Sequence, residues 1–573
     1  MAYTAVELQL LKNRLESIVD DMALTVVRTA YSTILRNSMD FSTGFCDPDG
    51  RLVAQGLCLP LHLGSLPDGL AAVLSRYGDA IDEGDVFLLN DPYEGGTHLP
   101  DIYVYKPVFV DSRLLGFTTA IAHHTDIGGR VAGGNACDST EIFQEGLRIP
   151  PLKLYAAGRP VQAIFDVIER NVRVPRNTMG DLRAQLSACH IGERAVAALA
   201  VEEGYDRLQS GFSELLNYAE RLTRAEIEAL PDGRFTFTDV LDDDGIDPDE
   251  IPIAVTVEVA GSALSVDFSG TAPQVKGAIN CVASFTRSAV YACLRCLMRA
   301  DIPTNSGFFR AIDVRIPSAT IANPVPPAPV AARGLTGFRL ANAIMGALAP
   351  LAPHIVPACE VGGDTGISIG GYRTDRTPFV FLEFLFCGWG GRPDRDGVDG
   401  CASIVVNFSN NPAEVVEAEY PLQILEYGFL TDTGGAGKYR GCCSIVREYR
   451  FTERQATLQI RSDRHNSRAY GLSGGEPGSP SRNILNPIGE ARKLPAKTLL
   501  TVNRGDTLRH VLAGAGGWGS PLERDPQRIL DDVRNGKVSI RSAEMHYGVA
   551  IDPDTLQIDV ARTSGLRSCS ART

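Results

Sequence analysis

The sequence has no apolar run long enough to cross a bilayer. Its most apolar late stretch, Leu340 to Ala358, is broken by Pro350, Pro353, His354 and Pro357, whereas a spanning helix needs about 20 mostly apolar residues. The opening residues MAYTAVELQLLKNRL lack a basic segment followed by an apolar one, so no secretory leader is expected. Clustered lysine and arginine are missing too. With 55 Lys and Arg against 69 Asp and Glu, the net charge is −14, which argues against nucleic-acid and anionic-membrane partners. The 13 cysteines form no disulfide-like spacing and are odd in number, so a reducing, cytoplasmic setting is expected. One close pair, Cys293 and Cys296 in VYACLRCLM, has helical spacing and no second pair to complete a zinc site. Buried thiols are the expected reading.

Nucleotide-binding motifs are also lacking. TDTGGAGKYRG has Asp432 where a phosphate loop needs its first glycine, and Tyr439 where it needs Ser or Thr. GAGGWGSP (Gly514 to Pro521) has no strand–helix context and reads as a turn. In LDDDGIDPDE, placing Gly245 at the sixth position of a calcium loop puts Val240 first and Ile251 twelfth. Neither offers an oxygen, so a solvated acidic loop is expected. No nucleophile elbow is present; Ser269-Gly270 in VDFSGTAPQ does not match one.

What is present is an ordinary globular balance, 44% apolar and 22% charged. Order is expected everywhere except the tail ARTSGLRSCSART. A chain of 573 residues exceeds one simple core and suggests roughly three or four packed units. Residues 4 to 36 carry Leu8, Leu11, Leu15, Val19, Met22 and Val26 at helical spacing and predict one long helix. Residues 85 to 124 alternate short β-rich runs with turns, 161 to 229 read as helical, and Pro231-Asp232-Gly233 opens a β-meander. Helices are predicted at about 282 to 300 and 337 to 348. From 376 to about 513 short strands alternate with glycine-rich turns. A final helix is expected after Asp525, with Pro526 at its first position. The expected fold is mixed α and β, multi-domain, with a β-rich C-terminal part: 1–230, 231–375 and 376–573.

The strongest local signal is DPYEGGTHLPD followed by AIAHHTDIGG. His98 and Asp101 lie three apart in a loop bounded by Gly and Pro. His123 ends a predicted strand that returns after a hairpin. Such a loop and strand end can bring two imidazoles and a carboxylate together, a donor set suited to Zn²⁺, Mn²⁺ or Fe²⁺. Asp40 in SMDFSTGF is a candidate fourth ligand. The alternative is a hydrogen-bonded loop histidine and a satisfied core histidine. His123 and His124 point to opposite faces of a strand, and parity does not choose between them. His124 and Asp126 are supporting or proton-transfer candidates, and His62 in PLHLGSLP either approaches the site or, as the favoured reading, is a core histidine.

Several blocks together resemble the hydantoinase B/oxoprolinase family: NDPYEGGTHLPDIYVYKPVF, AIAHHTDIGGRVAGG, TEIFQEGLRIPPLKL, RNTMGDLRAQLSA, VDFSGTAPQVKGAIN, DTGGAGKYRG and DPQRILDDVRNGKVS with Tyr547-Gly548-Val549. They run in order over nearly the whole chain. The resemblance implies a stand-alone hydantoinase B-type chain paired with a hydantoinase A-type chain that binds ATP and magnesium. ATP phosphorylates a cyclic amide such as hydantoin, N-methylhydantoin or 5-oxoproline, and the B-type chain completes ring opening. It also implies a divalent metal held by Asp40, His98, Asp101 and His123, with Asp101 or His124 taking a proton. Glu141, Glu145 and Arg148 either line the substrate site or form ion pairs that fix their loop. Arg170, Arg173, Arg176 and Asn177 either meet phosphate or the partner, or form a solvated helix start. A component of a biotin-independent ketone carboxylase and a non-catalytic scaffold are the alternatives.

Overall fold

The computed structural model describes residues 3–57, 59–362 and 365–570. The chain is a mixed α and β, multi-domain fold. Its first sheet has seven antiparallel strands, in spatial order Leu52–Gln55, Phe41–Cys46, Arg113–His123, Asp101–Val110, Val86–Leu89, Leu152–Ala156 and Arg159–Pro160. Its central strands are buried on both faces, and the period-two alternation separates their side chains. Tyr103, Tyr105, Phe117 and Ile121 pack with Leu66 and Leu70 of the helix Ser65–Tyr77. Ile102, Val104, Ala120 and Ala122 join the core that includes the helices Ala5–Thr29 and Pro175–Glu203.

Ala5–Thr29 starts where Thr4 and Glu7 form a reciprocal capping box, and it buries the six apolar residues read from the sequence. The single helix expected over 4–36 is a correction: it stops at Thr29 and a short helix, Thr33–Arg36, follows. Between them the amides of Tyr31 and Ser32 both donate to Asp181 Oδ1, at 2.7 and 3.1 Å. A side-chain acceptor thus replaces the helical carbonyl and redirects the chain towards Asp40. The two long helices approach closely because a Cβ on Gly192 would lie 2.3 Å from Met22 Sδ.

The predicted meander forms as Gly233–Leu241, Ile251–Ala260 and Ala263–Asp267, extended by Ile312–Arg315 in parallel. The helix Arg333–Leu348 packs on it and is buried along its whole length. The C-terminal part is β-rich, as expected. A four-stranded sheet (Pro378–Leu385, Thr365–Tyr372, Gln455–Arg461, Lys497–Asn503) and a five-stranded one (Leu422–Phe429, Ile445–Phe451, Thr507–Val511, Arg482–Leu485, Arg492–Leu494) share an apolar core.

Four further expectations are corrected. The helix Pro526–Arg534, capped by Asp525, is followed by Ile540–Tyr547 and Val560–Ser570. That last helix occupies most of the tail expected to lack order, packing Thr563 and Arg567 against residues 547–550. Of the close cysteine pair, Cys293 is buried but Cys296 is exposed. The acidic loop is solvated only in part: Asp249 and Glu250 are exposed, while Asp242 and Asp244 are buried. Asp242 accepts three backbone amides, of His465, Asn466 and Ser467, and Asp244 accepts those of Ile246, Asp247 and Gly277. Buried carboxylates with this many donors act as internal ties between distant segments.

Candidate metal centre

Three neighbouring strands end at one point. Asp101 opens its strand, His123 closes the next, and the two are directly paired. The His123 amide donates to the Asp40 carbonyl at 3.0 Å, which brings the start of Phe41–Cys46 alongside. His98 sits three residues before Asp101 in the loop that precedes its strand. The structure thereby brings together all four residues singled out in the sequence. Ligand atoms of His98, Asp101 and His123 lie within 4.8 Å of one another, as do those of Asp40, His62 and Asp101. All five side chains are buried. His62 is buried and also reaches the cluster, with its Nε2 3.4 Å from Asp101 Oδ2.

Several buried nitrogen and oxygen atoms of the cluster lack hydrogen-bond partners among the described residues. His98 Nδ1 lies 3.0 Å from the carbonyl of Ala331. A carbonyl only accepts, so Nδ1 carries the proton and Nε2 presents a lone pair. That lone pair faces Asp101 Oδ1 at 3.2 Å, and neither atom has a hydrogen-bond partner among the described residues. Burial, then the nearby Arg333, lowers His98 to about 4. Burial, then His98, holds His123 well below the usual imidazole range. Burial pushes Asp101 up, but the charge of Arg333 opposes it, and the carboxyl stays well below its usual range. Two acceptors therefore face each other at contact distance without a proton between them. Both nitrogens of His123 also lack a partner among the described residues. Buried polar atoms left this way cost about 1–3 kcal/mol each, and a cation accepting their lone pairs removes that cost. The donor set is nitrogen and oxygen without thiolate, which suits Zn²⁺, Mn²⁺ or Fe²⁺.

Three residues of the cluster were not anticipated. Arg333 Nη2 donates to Asp101 Oδ2 at 2.5 Å, and Thr97 Oγ1 donates to the same oxygen. The guanidinium lies over the Phe285 ring, 4.1 Å from its centroid. Arg461 comes from the C-terminal four-stranded sheet and stacks on Phe384 at 4.7 Å. The signal for Arg333 was an arginine inside the otherwise apolar stretch PVAARGLTGF; for Arg461 there was none. A small cavity of about 20 Å³, room for about one water, lies between these arginines and the histidines, walled by Phe285, Phe338, Phe384 and Phe408.

The remaining candidates lie around this centre. His124 turns to the opposite face of the sheet, where Nε2 pairs with Gln185 of the helix Pro175–Glu203 at 3.0 Å. Asp126 ties its loop: it accepts the amides of Gly133 and Arg173 at 3.0 and 2.7 Å and the Arg173 guanidinium at 3.0 Å. Arg173 also reaches the carbonyls of Gly128 and Gly129. Arg170 and Arg176 are exposed and Asn177 is half-buried. Glu141 is exposed, and Arg148 pairs with Asp91 at 2.6 Å. Glu145 is buried, and one of its oxygens accepts the amides of Val330 and Ala331.

The fold and this cluster define a mixed α and β protein with a buried imidazole–carboxylate cluster where strand ends from the first sheet meet the C-terminal sheet. The chain belongs to the hydantoinase B/oxoprolinase family, whose model matches residues 4–521. It is 33% identical to the B component of a putative D-/L-hydantoinase from Pseudomonas sp. strain NS671, over 98% of each chain. The crystal structure of the ATP-dependent caprolactamase from Pseudomonas jessenii superposes with a TM-score of 0.92 at 32% identity, covering 99% of this chain and 100% of that one. A nucleotide-free acetone carboxylase structure shares the fold, with a TM-score of 0.92 at 20% identity over 99% of this chain and 82% of that one. No helix among the described residues is long and apolar enough to cross a membrane.

Proposed function

We propose that this chain is the metal-binding component of an ATP-dependent amidohydrolase that opens a small cyclic amide, working with a hydantoinase A-type partner. The observation that carries the reading is the facing pair of acceptors, His98 Nε2 and Asp101 Oδ1, 3.2 Å apart in a buried cluster. Asp40, His98, Asp101 and His123 would hold a divalent ion, zinc or manganese or iron. When bound, that ion supplies Lewis acidity towards the reacting carbonyl oxygen or the attacking water.

The chain's own residues supply the rest. The Ala331 carbonyl holds His98 in the tautomer that offers Nε2. Arg333 keeps Asp101 ionised. Arg333 and Arg461 place two fixed positive charges on the cavity wall, where they stabilise negative charge developing on a carbonyl oxygen. The surrounding phenyl rings exclude bulk water, which strengthens those interactions. An unstrained amide is a poor electrophile. In this reading the partner binds ATP and magnesium and phosphorylates the lactam oxygen, since the chain itself carries no phosphate loop. The activated carbonyl is then hydrolysed at the cluster, whose cavity of about 20 Å³ has room for the attacking water but must widen to admit the ring.

The test is co-expression with an A-type partner, followed by ATP turnover in the presence of hydantoins, 5-oxoproline, larger lactams, or ketones with bicarbonate. Lactam-dependent turnover with a ring-opened product is expected. Turnover only with ketone and bicarbonate would replace the hydrolase by a carboxylase. Ring opening that survives both His98→Ala and His123→Ala would reduce the chain to a scaffold.

A further inference from the structure

We infer that Glu145 is a positioning residue for the metal centre, acting through the backbone of residues 330–331 on His98. This rests on the metal reading above.

One oxygen of Glu145, Oε1, accepts both the Val330 amide at 2.7 Å and the Ala331 amide at 2.9 Å. It therefore fixes two consecutive peptide planes. The next plane is held at its nitrogen end, where the Ala332 amide donates to the Ala278 carbonyl at 2.7 Å. At its other end, the Ala331 carbonyl accepts from His98 Nδ1. Arg333, two residues further on, grips Asp101. A single carboxyl oxygen thus sets the height of both the carbonyl that chooses the His98 tautomer and the guanidinium that holds Asp101. Val330, Ala331 and Glu145 are all buried, so no solvent replaces this oxygen if it is removed. Glu145 stands in a different loop from every residue of the cluster and touches none of the candidate ligands. Outer contacts of this kind commonly change metal affinity about 10- to 100-fold.

The test uses the full chain and two probes, Zn²⁺ in competition with a chromophoric chelator and Co²⁺ read by its visible absorption bands. Glu145→Gln keeps an oxygen able to accept both amides. It should bind Zn²⁺ within about threefold of the wild type, with unchanged Co²⁺ bands. Glu145→Met fills the same volume without an acceptor. It should bind about 10- to 100-fold more weakly, with altered Co²⁺ bands, while circular dichroism stays native. If Glu145→Met does not fold, Glu145→Asp keeps the charge but shortens the reach by one methylene, and the same loss is expected. Wild-type affinity and bands in Glu145→Met, or in Glu145→Asp where that variant is needed, overturn the inference. So does Glu145→Gln as weak as Glu145→Met. A wild type that binds neither ion would instead overturn the metal reading itself.

Discussion

Asp101 and His123 are opposed residues at the ends of neighbouring antiparallel strands, and their side chains point to the same face of the sheet. Strand pairing places opposed residues about 4.5–5.5 Å apart, so the ladder itself sets the spacing of two candidate ligands. His98 and Asp40 are then delivered by the chain segments that enter this edge. The arrangement leads to four measurable expectations.

His98→Ala and His123→Ala should each lower the metal content of the purified chain from about one equivalent to a small fraction, because each removes a donor from a three- or four-donor set. Adding Zn²⁺ at about 1,000 times its dissociation constant should stabilise the wild type by about 4 kcal/mol, and neither variant. Thermal unfolding with and without Zn²⁺ measures this. Equal metal-induced shifts in all three proteins would refute the assignment.

Arg333→Met should destabilise the metal-free chain by about 3 kcal/mol, since it leaves the Asp101 carboxylate buried without its cation. The same variant loaded with Zn²⁺ should recover much of that loss, because a bound ion returns positive charge to Asp101. Denaturant unfolding of both forms decides it. A loss equal in the two forms would show that Arg333 and the ion do not share Asp101.

Stability should fall as pH rises towards 8. Burial pushes Glu145 from its ordinary 4.5 up to about 8, against the two amides that favour its charged form. Between those values the folded chain holds a proton that the unfolded chain has released. Raising the pH through this window therefore favours unfolding, and the effect levels off above about pH 8. Glu360, raised to about 7 by burial, acts in the same direction over a lower range. Relative to the wild type, Glu145→Gln should gain stability as pH rises from 6 to 8 and gain no more above it. Urea midpoints at pH 6, 7, 8 and 9 test this, and parallel curves would contradict it.

Asp126→Ala should destabilise the chain by about 2–3 kcal/mol, because it strands buried amide donors and frees Arg173. Its metal content should stay at the wild-type level. A variant that folds normally but loses the ion would move Asp126 from tying the loop into the centre itself.

Most of the fold was legible because it follows local periodicity. The capping box at Thr4 and Glu7, the apolar spacing from Leu8 to Val26, and the meander after Gly233 all report interactions within a few residues. Three of the site residues were legible for a related reason: His98 and Asp101 share one loop, and His123 ends the strand that pairs with it. The end of the first helix was not legible, because Asp181, about 150 residues away, supplies the acceptors that stop it. Arg333 was equally hidden, lying 232 residues beyond Asp101. The burial of Asp242 in the acidic loop was hidden because its amide donors come from residues 465–467.

By itself, the sequence determined the mixed architecture, the family, and the nitrogen and oxygen donors available for an ion, because residue type and short-range spacing carry that information. Strand parity left open which of His123 and His124 faces the cluster, and the family resemblance named His123; only the tertiary structure supplies the physical reason. Parity says they oppose each other; which face is closed by the helix Pro175–Glu203 and which meets the cavity depends on packing between elements far apart in the chain. The same packing brought Arg333 and Ala331 to the centre, and with them the charge on Asp101 and the tautomer of His98.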